Sequence, residues 1–196
     1  MAGVYSAIIF DCFGVLATDG WLPFKRHYFG NNTRNFEKAS ELNRQSDAGL
    51  ISVVDFTREI ASMAGVSEAE VLESTGHNVP NEELFEYIRF VLKPEFKLGL
   101  LSNTSSNVLE QIFTHQQIEL FDALVLSFES GITKPDPRAY RKIMNELSVE
   151  PEQCIFVDDQ ERHCTGAREV GMQTIWYKDF PQFCEKLDEL FADSKY

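Results

Sequence analysis

The chain lacks three things, and each absence closes off a class of function: a hydrophobic run long enough to cross a bilayer, a cluster of basic residues, and closely spaced cysteines. A membrane-spanning helix needs about 20 mostly apolar residues, and the apolar segments here are far shorter, so no membrane association is expected. Lysine and arginine total 18 against 31 acidic residues, a formal net charge of -13. Nucleic-acid binders are built on a basic stripe, which excludes nucleic acid as a partner. Cys12, Cys154, Cys164 and Cys184 contain no Cys-x-x-Cys spacing and read as reduced thiols rather than a disulfide framework or a zinc site. Internal repeats and low-complexity tracts are also missing. The stretch Met1-Ala2-Gly3-Val4-Tyr5-Ser6 runs straight into an apolar segment without the basic and apolar parts of a leader, so a cytoplasmic protein is expected. Composition specifies no oligomeric state.

What the chain does have is an ordinary globular balance, 43% hydrophobic and 25% charged, over 196 residues. That length supports one large domain, or one domain carrying a smaller insertion, with a hydrophobic core. Five short apolar segments read as buried strands: Ile8 to Phe10, Lys97 to Leu101, Ala123 to Leu126, Cys154 to Val157 and Thr174 to Tyr177. Helical patterns separate them. Val108, Leu109, Ile112 and Phe113 predict a helix over Ser105 to Phe113, and Ala139, Tyr140, Ile143, Met144 and Leu147 predict another over Asp136 to Leu147. Strand and helix in alternation predict an α/β fold with a parallel sheet flanked by helices. Residues 18–90 break the rhythm: they hold no strong β segment, and helix starts are predicted at Ser52, at Ser67 with Glu70, and at Asn81. The expected organisation is a core of residues 1–17 and 91–196 with a helical insertion at 18–90.

Ligands in open α/β sheets bind just beyond the carboxyl ends of the strands. Polar residues stand at four such ends: Asp11 after the first strand, Ser102-Asn103 after the second, Lys134 in the loop that follows Leu126, and Asp158-Asp159 after Val157. Taken singly, Asp11, Ser102 and Asn103 also suit turn or helix capping, and Lys134 a solvated loop. Two adjacent acids ending a buried strand are different, because they repel each other without a cation. Together the set is chemically coherent. A carboxylate nucleophile approaching an anionic phosphoryl group needs its charge neutralised, and Mg²⁺ held between Asp11 and Asp159 would do that. Lys134 would offset the remaining charge, and the Ser102 hydroxyl would bond a phosphoryl oxygen.

With Asp11, then Ser102-Asn103, then Lys134 in Lys-Pro-Asp-Pro-Arg-Ala-Tyr, then Asp158-Asp159 followed by Gly166-Ala167 and Gly171-Met172, the chain resembles the haloacid dehalogenase-like hydrolases, in the branch with a helical cap after the first strand. The resemblance spans nearly the whole chain. It implies a Rossmann-like sheet, Mg²⁺, and an aspartyl-enzyme intermediate formed from a small phosphorylated molecule. It also implies roles: Asp11 as nucleophile; Ser102, Asn103 and Lys134 around the phosphate; and Asp11, the Phe13 backbone carbonyl and Asp159 on the metal, with Asp158 outside them.

One position departs from that pattern. Phosphatases of the family carry a second Asp two residues after the nucleophile, and here it is Phe13. A phenyl ring cannot transfer the proton, a contribution of about two to four orders of magnitude. An aromatic at this place resembles the true haloacid dehalogenases, which is the alternative enzyme reading, with Arg26, Arg34 or Arg44 as halide ligands. Asp158-Asp159 argues against it, since paired acids would repel a haloacid carboxylate. A third reading is a phosphate- or metal-binding relative of low or no turnover that acts through a partner. Asp19, Trp21, Lys25, Arg26 and His27 follow the nucleophile loop and are the candidates for substrate selection, His27 also as a replacement base. His163 stands where the family commonly has Asp or Asn beside the metal.

Overall fold

In the computed structural model, residues 5–193 are described, and they form a five-stranded sheet with helices on both faces. The strands are Ala7–Phe10 (β1), Lys97–Ser102 (β2), Ala123–Leu126 (β3), Cys154–Asp158 (β4) and Gln173–Trp176 (β5), in the order β3-β2-β1-β4-β5 and parallel throughout. This is the Rossmann-like α/β arrangement expected from the sequence. Central β1 is fully buried on both faces, which is why it reads as an unbroken apolar run rather than an alternating one. Phe10 lies opposite Leu100 on one side and Val157 on the other, so the chain leaves β1, β2 and β4 along one common edge.

Four helices follow β1: Trp21–Phe29 (α1), Thr33–Asp47 (α2), Val53–Ala64 (α3) and Glu68–Gly76 (α4). They enclose their own apolar cluster of Phe24, Phe29, Ala39, Ile60, Ala61 and Val71. The capping signals in the sequence act as expected. Ser52 accepts from the Asp55 amide to open α3, and Ser67 accepts from the Glu70 amide to open α4. Asn81 opens Glu82–Tyr87 (α5), which runs into a π turn at Ile88–Leu92. Although α5 falls within 18–90, Leu84, Phe85, Ile88 and Leu92 pack beneath the sheet with Ile8, Phe10, Leu100 and Val157. The amphipathic face of α5 is therefore spent on the sheet. Each such fully buried side chain contributes about 1.5–3 kcal/mol.

The segments leading into and out of the four helices run side by side. The Thr18 amide donates to the Val79 carbonyl at 2.9 Å, and the Asn81 amide to the Leu16 carbonyl at 2.8 Å. The Asn81 side chain adds bonds to the Val15 carbonyl at 3.1 Å and the Tyr177 hydroxyl at 2.8 Å.

The remaining helices are Leu109–Ile112 (α6), His115–Ile118 (α7), Ser127–Ser130 (α8), Pro137–Leu147 (α9), Glu161–Glu169 (α10) and Phe180–Asp193 (α11). Helix α9 matches its predicted extent, with Asp136 as its cap and Ala139, Tyr140, Ile143, Met144 and Leu147 packed on Ile9, Leu101 and Phe156. The helix predicted over Ser105 to Phe113 is shorter, reduced to the four residues of α6. Local side-chain bonds compete with it: the Thr104 hydroxyl donates to the Ser106 carbonyl, and Asn107 accepts from the Leu109 amide. Among the described residues no helix is long and apolar enough to cross a membrane.

Candidate active site

Asp11 is the first residue past β1, and its amide still donates to the Val157 carbonyl at 2.8 Å, so its position is fixed by the sheet. Its Oδ1 accepts from the Cys12 amide at 2.7 Å and lies 2.6 Å from Lys134 Nζ. The same ammonium group bonds Asp158 Oδ2 at 2.8 Å, with the side chains of Lys134 and Asp158 both fully buried. Asn103 sets the lysine in place. Its Oδ1 accepts from the Lys134 amide at 2.7 Å and its Nδ2 donates to the Lys134 carbonyl at 3.0 Å. The Asn103 amide, expected on the phosphate, is thus occupied in holding the main chain of Lys134. Ser102, expected on a phosphoryl oxygen, is buried at the end of β2 with its hydroxyl 3.5 Å from the Asn103 carbonyl.

The two adjacent acids have opposite surroundings. Besides Lys134, Asp158 accepts from the Gln160 amide at 2.8 Å, and His163 Nδ1 lies 3.1 Å from each of its oxygens. His163 is itself steadied by the Tyr140 hydroxyl, which donates to its carbonyl at 2.8 Å; a side chain at Gly166 would strike Pro135 as well as that hydroxyl. Asp159 has none of this. Its Oδ1 is buried with no hydrogen-bond partner, and its carboxylate rests directly on the backbone of Gly14. A Cβ on Gly14 would stand 2.6 Å from Asp159 Oδ2, and the glycine has a φ of 86° that other residues resist. Gly14→Ala is therefore expected to displace Asp159 and to cost about 1–3 kcal/mol of stability in a thermal melt; an unchanged melting temperature would show that Asp159 does not depend on this contact.

Three carboxylates thus stand near one buried lysine, which bonds two of them, and the charge does not balance. Burial and then the charge of Asp158 push the Asp11 carboxyl well above the usual range, with Lys134 opposing. Asp159 is pushed up to about 7 by burial and by Asp158. Asp158 is subject to the same burial, but Lys134 and His163 outweigh it and hold the carboxyl down to about 2. Burial works against a charge on Lys134, yet Asp11 and Asp158 keep it protonated. Burial pulls His163 below its ordinary value, favouring the neutral ring.

A cavity of about 280 Å³ opens above this group. Asp11, Asn103, Lys134 and His163 line its floor; Trp21 and Leu22 from α1, Val53 and Phe56 from α3 and Leu72 from α4 form an apolar part of the wall, beside polar Ser40 and Asn43 from α2. Phe13 lies on the wall too, and two acids, Asp19 and Asp47, face inward with it. Of the residues expected to select substrate, Asp19, Trp21 and Lys25 reach the cavity, and Trp21 also packs on Phe24 and Phe56. Arg26 and His27 are exposed and lie outside the lining, as do Arg34 and Arg44; the arginine that lines it is Arg162. Asp47 was not foreseeable, because nothing in Gln45-Ser46-Asp47-Ala48-Gly49 distinguishes it from an acid ending a solvated helix.

A carboxylate at the end of the central strand, a lysine fixed by an asparagine and two adjacent acids stand together on one edge of a parallel α/β sheet. The haloacid dehalogenase-like hydrolase family model matches residues 5–171, and the chain belongs to that family. It is 25% identical over 195 residues to a sesquiterpene phosphatase, astK, of Aspergillus oryzae, covering 97% of this chain and 98% of that one. Over a 70-residue stretch it is 33% identical to a glyceraldehyde 3-phosphate phosphatase of Pyrococcus furiosus, covering 35% of this chain and 29% of the relative. Among solved structures, a family enzyme of Bacteroides thetaiotaomicron in complex with magnesium and inorganic phosphate superposes with a TM-score of 0.68 at 26% identity, over 89% of this chain and 94% of that one.

Proposed function

We propose that the protein is a Mg²⁺-dependent phosphatase that takes the phosphoryl group of a small phosphate monoester onto Asp11. The observation that carries this reading is the arrangement of Asp11, Lys134 and Asp159: an anchored carboxylate facing a cavity, beside a fixed ammonium group and an acid with an orphaned oxygen. The residues fit a hard divalent ion. Asp11, Asp158 and Asp159 bring three negative charges against the single positive charge of Lys134, and a divalent cation would cancel the remainder. A second grouping, Asp11 with Asp158 and His163, also brings ligand atoms together, but Lys134 Nζ already bonds both of those acids. Asp11 and Asp159 would then hold the ion, together with the Phe13 carbonyl that the family resemblance implies, while Asp158, placed outside them by the same resemblance, bonds the lysine.

When bound, the ion neutralises the approach of the substrate phosphate to the carboxylates. The protein does the rest. Asp11 attacks phosphorus through one carboxylate oxygen, and the Cys12 amide and Lys134 orient the group through Oδ1. Lys134 stabilises charge on the phosphoryl oxygens, and Asn103 keeps the lysine from swinging away. Water then splits the aspartyl phosphate, returning Asp11 and releasing phosphate.

The apolar wall indicates the rest of the substrate. Trp21, Leu22, Val53, Phe56 and Leu72 suit a hydrocarbon body better than a sugar, in keeping with the full-length relative that acts as a sesquiterpene phosphatase. Phosphate release from farnesyl monophosphate and from glycerol 3-phosphate, each with Mg²⁺ and with EDTA, tests both parts. Release is expected only with Mg²⁺, with kcat/KM at least about tenfold higher for the apolar ester, since each buried methylene is worth about 0.8 kcal/mol. Release insensitive to EDTA would remove the metal, and preference for glycerol phosphate would remove the apolar substrate.

A further inference from the structure

An alkyl phosphate leaves an alkoxide unless its oxygen is protonated as the bond to phosphorus breaks, and Phe13 supplies no proton. The group that does so must line the cavity with a carboxyl or imidazole not already committed. Asp19 is committed: its Oδ1 accepts from the Trp21 amide at 2.8 Å and its Oδ2 from the Leu22 amide at 3.3 Å, capping the first turn of α1. His163 is held through Nδ1 by Asp158. Although its Nε2 has no partner among the described residues, burial favours the neutral ring, which with its proton on Nδ1 has none at Nε2 to give the leaving oxygen. Lys25 donates to the Ser40 hydroxyl at 3.0 Å.

Asp47, the last residue of α2, differs from all three. Its Oδ2 accepts from the Asn43 amide at 2.7 Å, and none of the described residues bonds its Oδ1. Its main chain is fastened to the sheet side of the molecule. The Ser127 hydroxyl donates to the Asp47 carbonyl at 2.6 Å and accepts from the Thr104 amide at 2.9 Å, one residue beyond Asn103. An acid carried by the inserted helices is thereby anchored to the loop that carries the site. The charges that reach it are Lys134 from the loop after α8 and Arg162 from α10, both cationic, and Asp19 from the loop before α1. Burial outweighs the two cations and pushes the carboxyl up to about 7, where a group can serve as acid in one step and base in the next.

We propose that Asp47 is the proton-transfer residue of this enzyme, replacing the acid that Phe13 displaces. In the first step an Asp11 oxygen bonds phosphorus, the ester P–O bond breaks, and the Asp47 proton passes to the departing oxygen, giving the alcohol and Asp47 carboxylate. In the second, that carboxylate takes a proton from water as the water oxygen bonds phosphorus. The bond to Asp11 breaks, leaving phosphate, free Asp11 and protonated Asp47. The site is then complete only with the inserted helices in place.

This inference rests on the phosphatase reading, and the test keeps the two apart. Wild type, Asp11→Asn, Asp47→Asn and Asp47→Glu are compared with Mg²⁺ on octyl phosphate, which needs a proton on its leaving oxygen, and on 4-nitrophenyl phosphate, which does not. Asp47→Asn is expected to slow octyl phosphate turnover about 10²- to 10⁴-fold. On the aryl ester it should give a burst of one nitrophenolate per enzyme before slow turnover, because the aspartyl phosphate forms but waits for its base. Asp47→Glu should recover part of the octyl phosphate rate. Folding is controlled by melting temperature. The Asp47 carboxyl is raised in the fold above its unfolded value of about 3.9, so the stability it contributes is present at low pH and lost as pH climbs through about 7. Asparagine escapes that loss, and the variant should melt no lower than wild type at pH 8. Equal slowing of both esters without a burst, or unchanged turnover, overturns the role of Asp47 while a dead Asp11→Asn leaves the phosphatase reading standing. Activity in Asp11→Asn equal to wild type overturns both.

Discussion

Asp11→Asn is expected to abolish phosphate release, by about 10⁴-fold or more, the scale on which removal of a covalent nucleophile acts. An amide oxygen cannot displace an alcohol from phosphorus, and no other carboxylate occupies the end of β1. The fold should not suffer. The Asn oxygen can still accept from the Cys12 amide, and Lys134 keeps its 2.8 Å bond to Asp158. Removing one of three carboxylates around a single lysine relieves repulsion, so the melting temperature of the metal-free variant should equal or exceed that of wild type. Phosphate release and a thermal melt on one preparation decide the matter. Retained turnover would move the nucleophile elsewhere, and a sharply lower melting temperature would make Asp11 a structural anchor.

The largest stability effect is expected at Lys134. Lys134→Met keeps much of the apolar stem but removes the cation that bonds Asp11 at 2.6 Å and Asp158 at 2.8 Å in a fully buried setting. Breaking a buried ion pair by removing one partner costs about 3–5 kcal/mol, because the other is left uncompensated. For a chain of this size that lowers the melting temperature by roughly 10 °C. The charge argument also predicts a rescue. Adding Asp158→Asn to Lys134→Met should restore part of the lost stability, since one of the two stranded carboxylates is gone, while activity stays at background. Failure of the second substitution to restore any stability would mean that lost packing around the lysine stem, rather than an unpaired charge, was the cause.

How much of this was legible beforehand follows from the range of each interaction. The strands were visible because a central parallel sheet buries both faces and therefore needs short unbroken apolar runs, as in Ile8-Ile9-Phe10. The site was visible to the extent that its residues sit at strand ends, which one edge collects without regard to detail. Local chemistry was read less well at Ser105 to Asn107, where hydroxyl and amide side chains take backbone bonds a helix would have used. What could not be read were pairings between distant elements. That Asn103 would be spent on the main chain of Lys134, or that α5 would turn its apolar face to the sheet, is set by packing across the fold and leaves no periodic trace. Asp47 is the extreme case: it ends a polar helix, and its place on the cavity depends on the packing of α2 and on a bond from Ser127, 80 residues away in sequence.

The paired segments at Leu16 to Thr18 and Val79 to Asn81 have an evolutionary consequence. The chain departs from the sheet and returns to it at nearly one point, so everything between behaves as a cassette. Its helices can lengthen or shorten without altering the register of any strand as long as the Ser127 bond that fastens α2 is kept, because the distance the sheet must span there stays fixed. Chemistry at the strand ends can thus be inherited unchanged while the pocket wall drifts toward new substrates. If Asp47 supplies the proton, part of the catalytic apparatus has been moved into the cassette, and in this lineage a new pocket wall could be adopted only if it brought an acid with it.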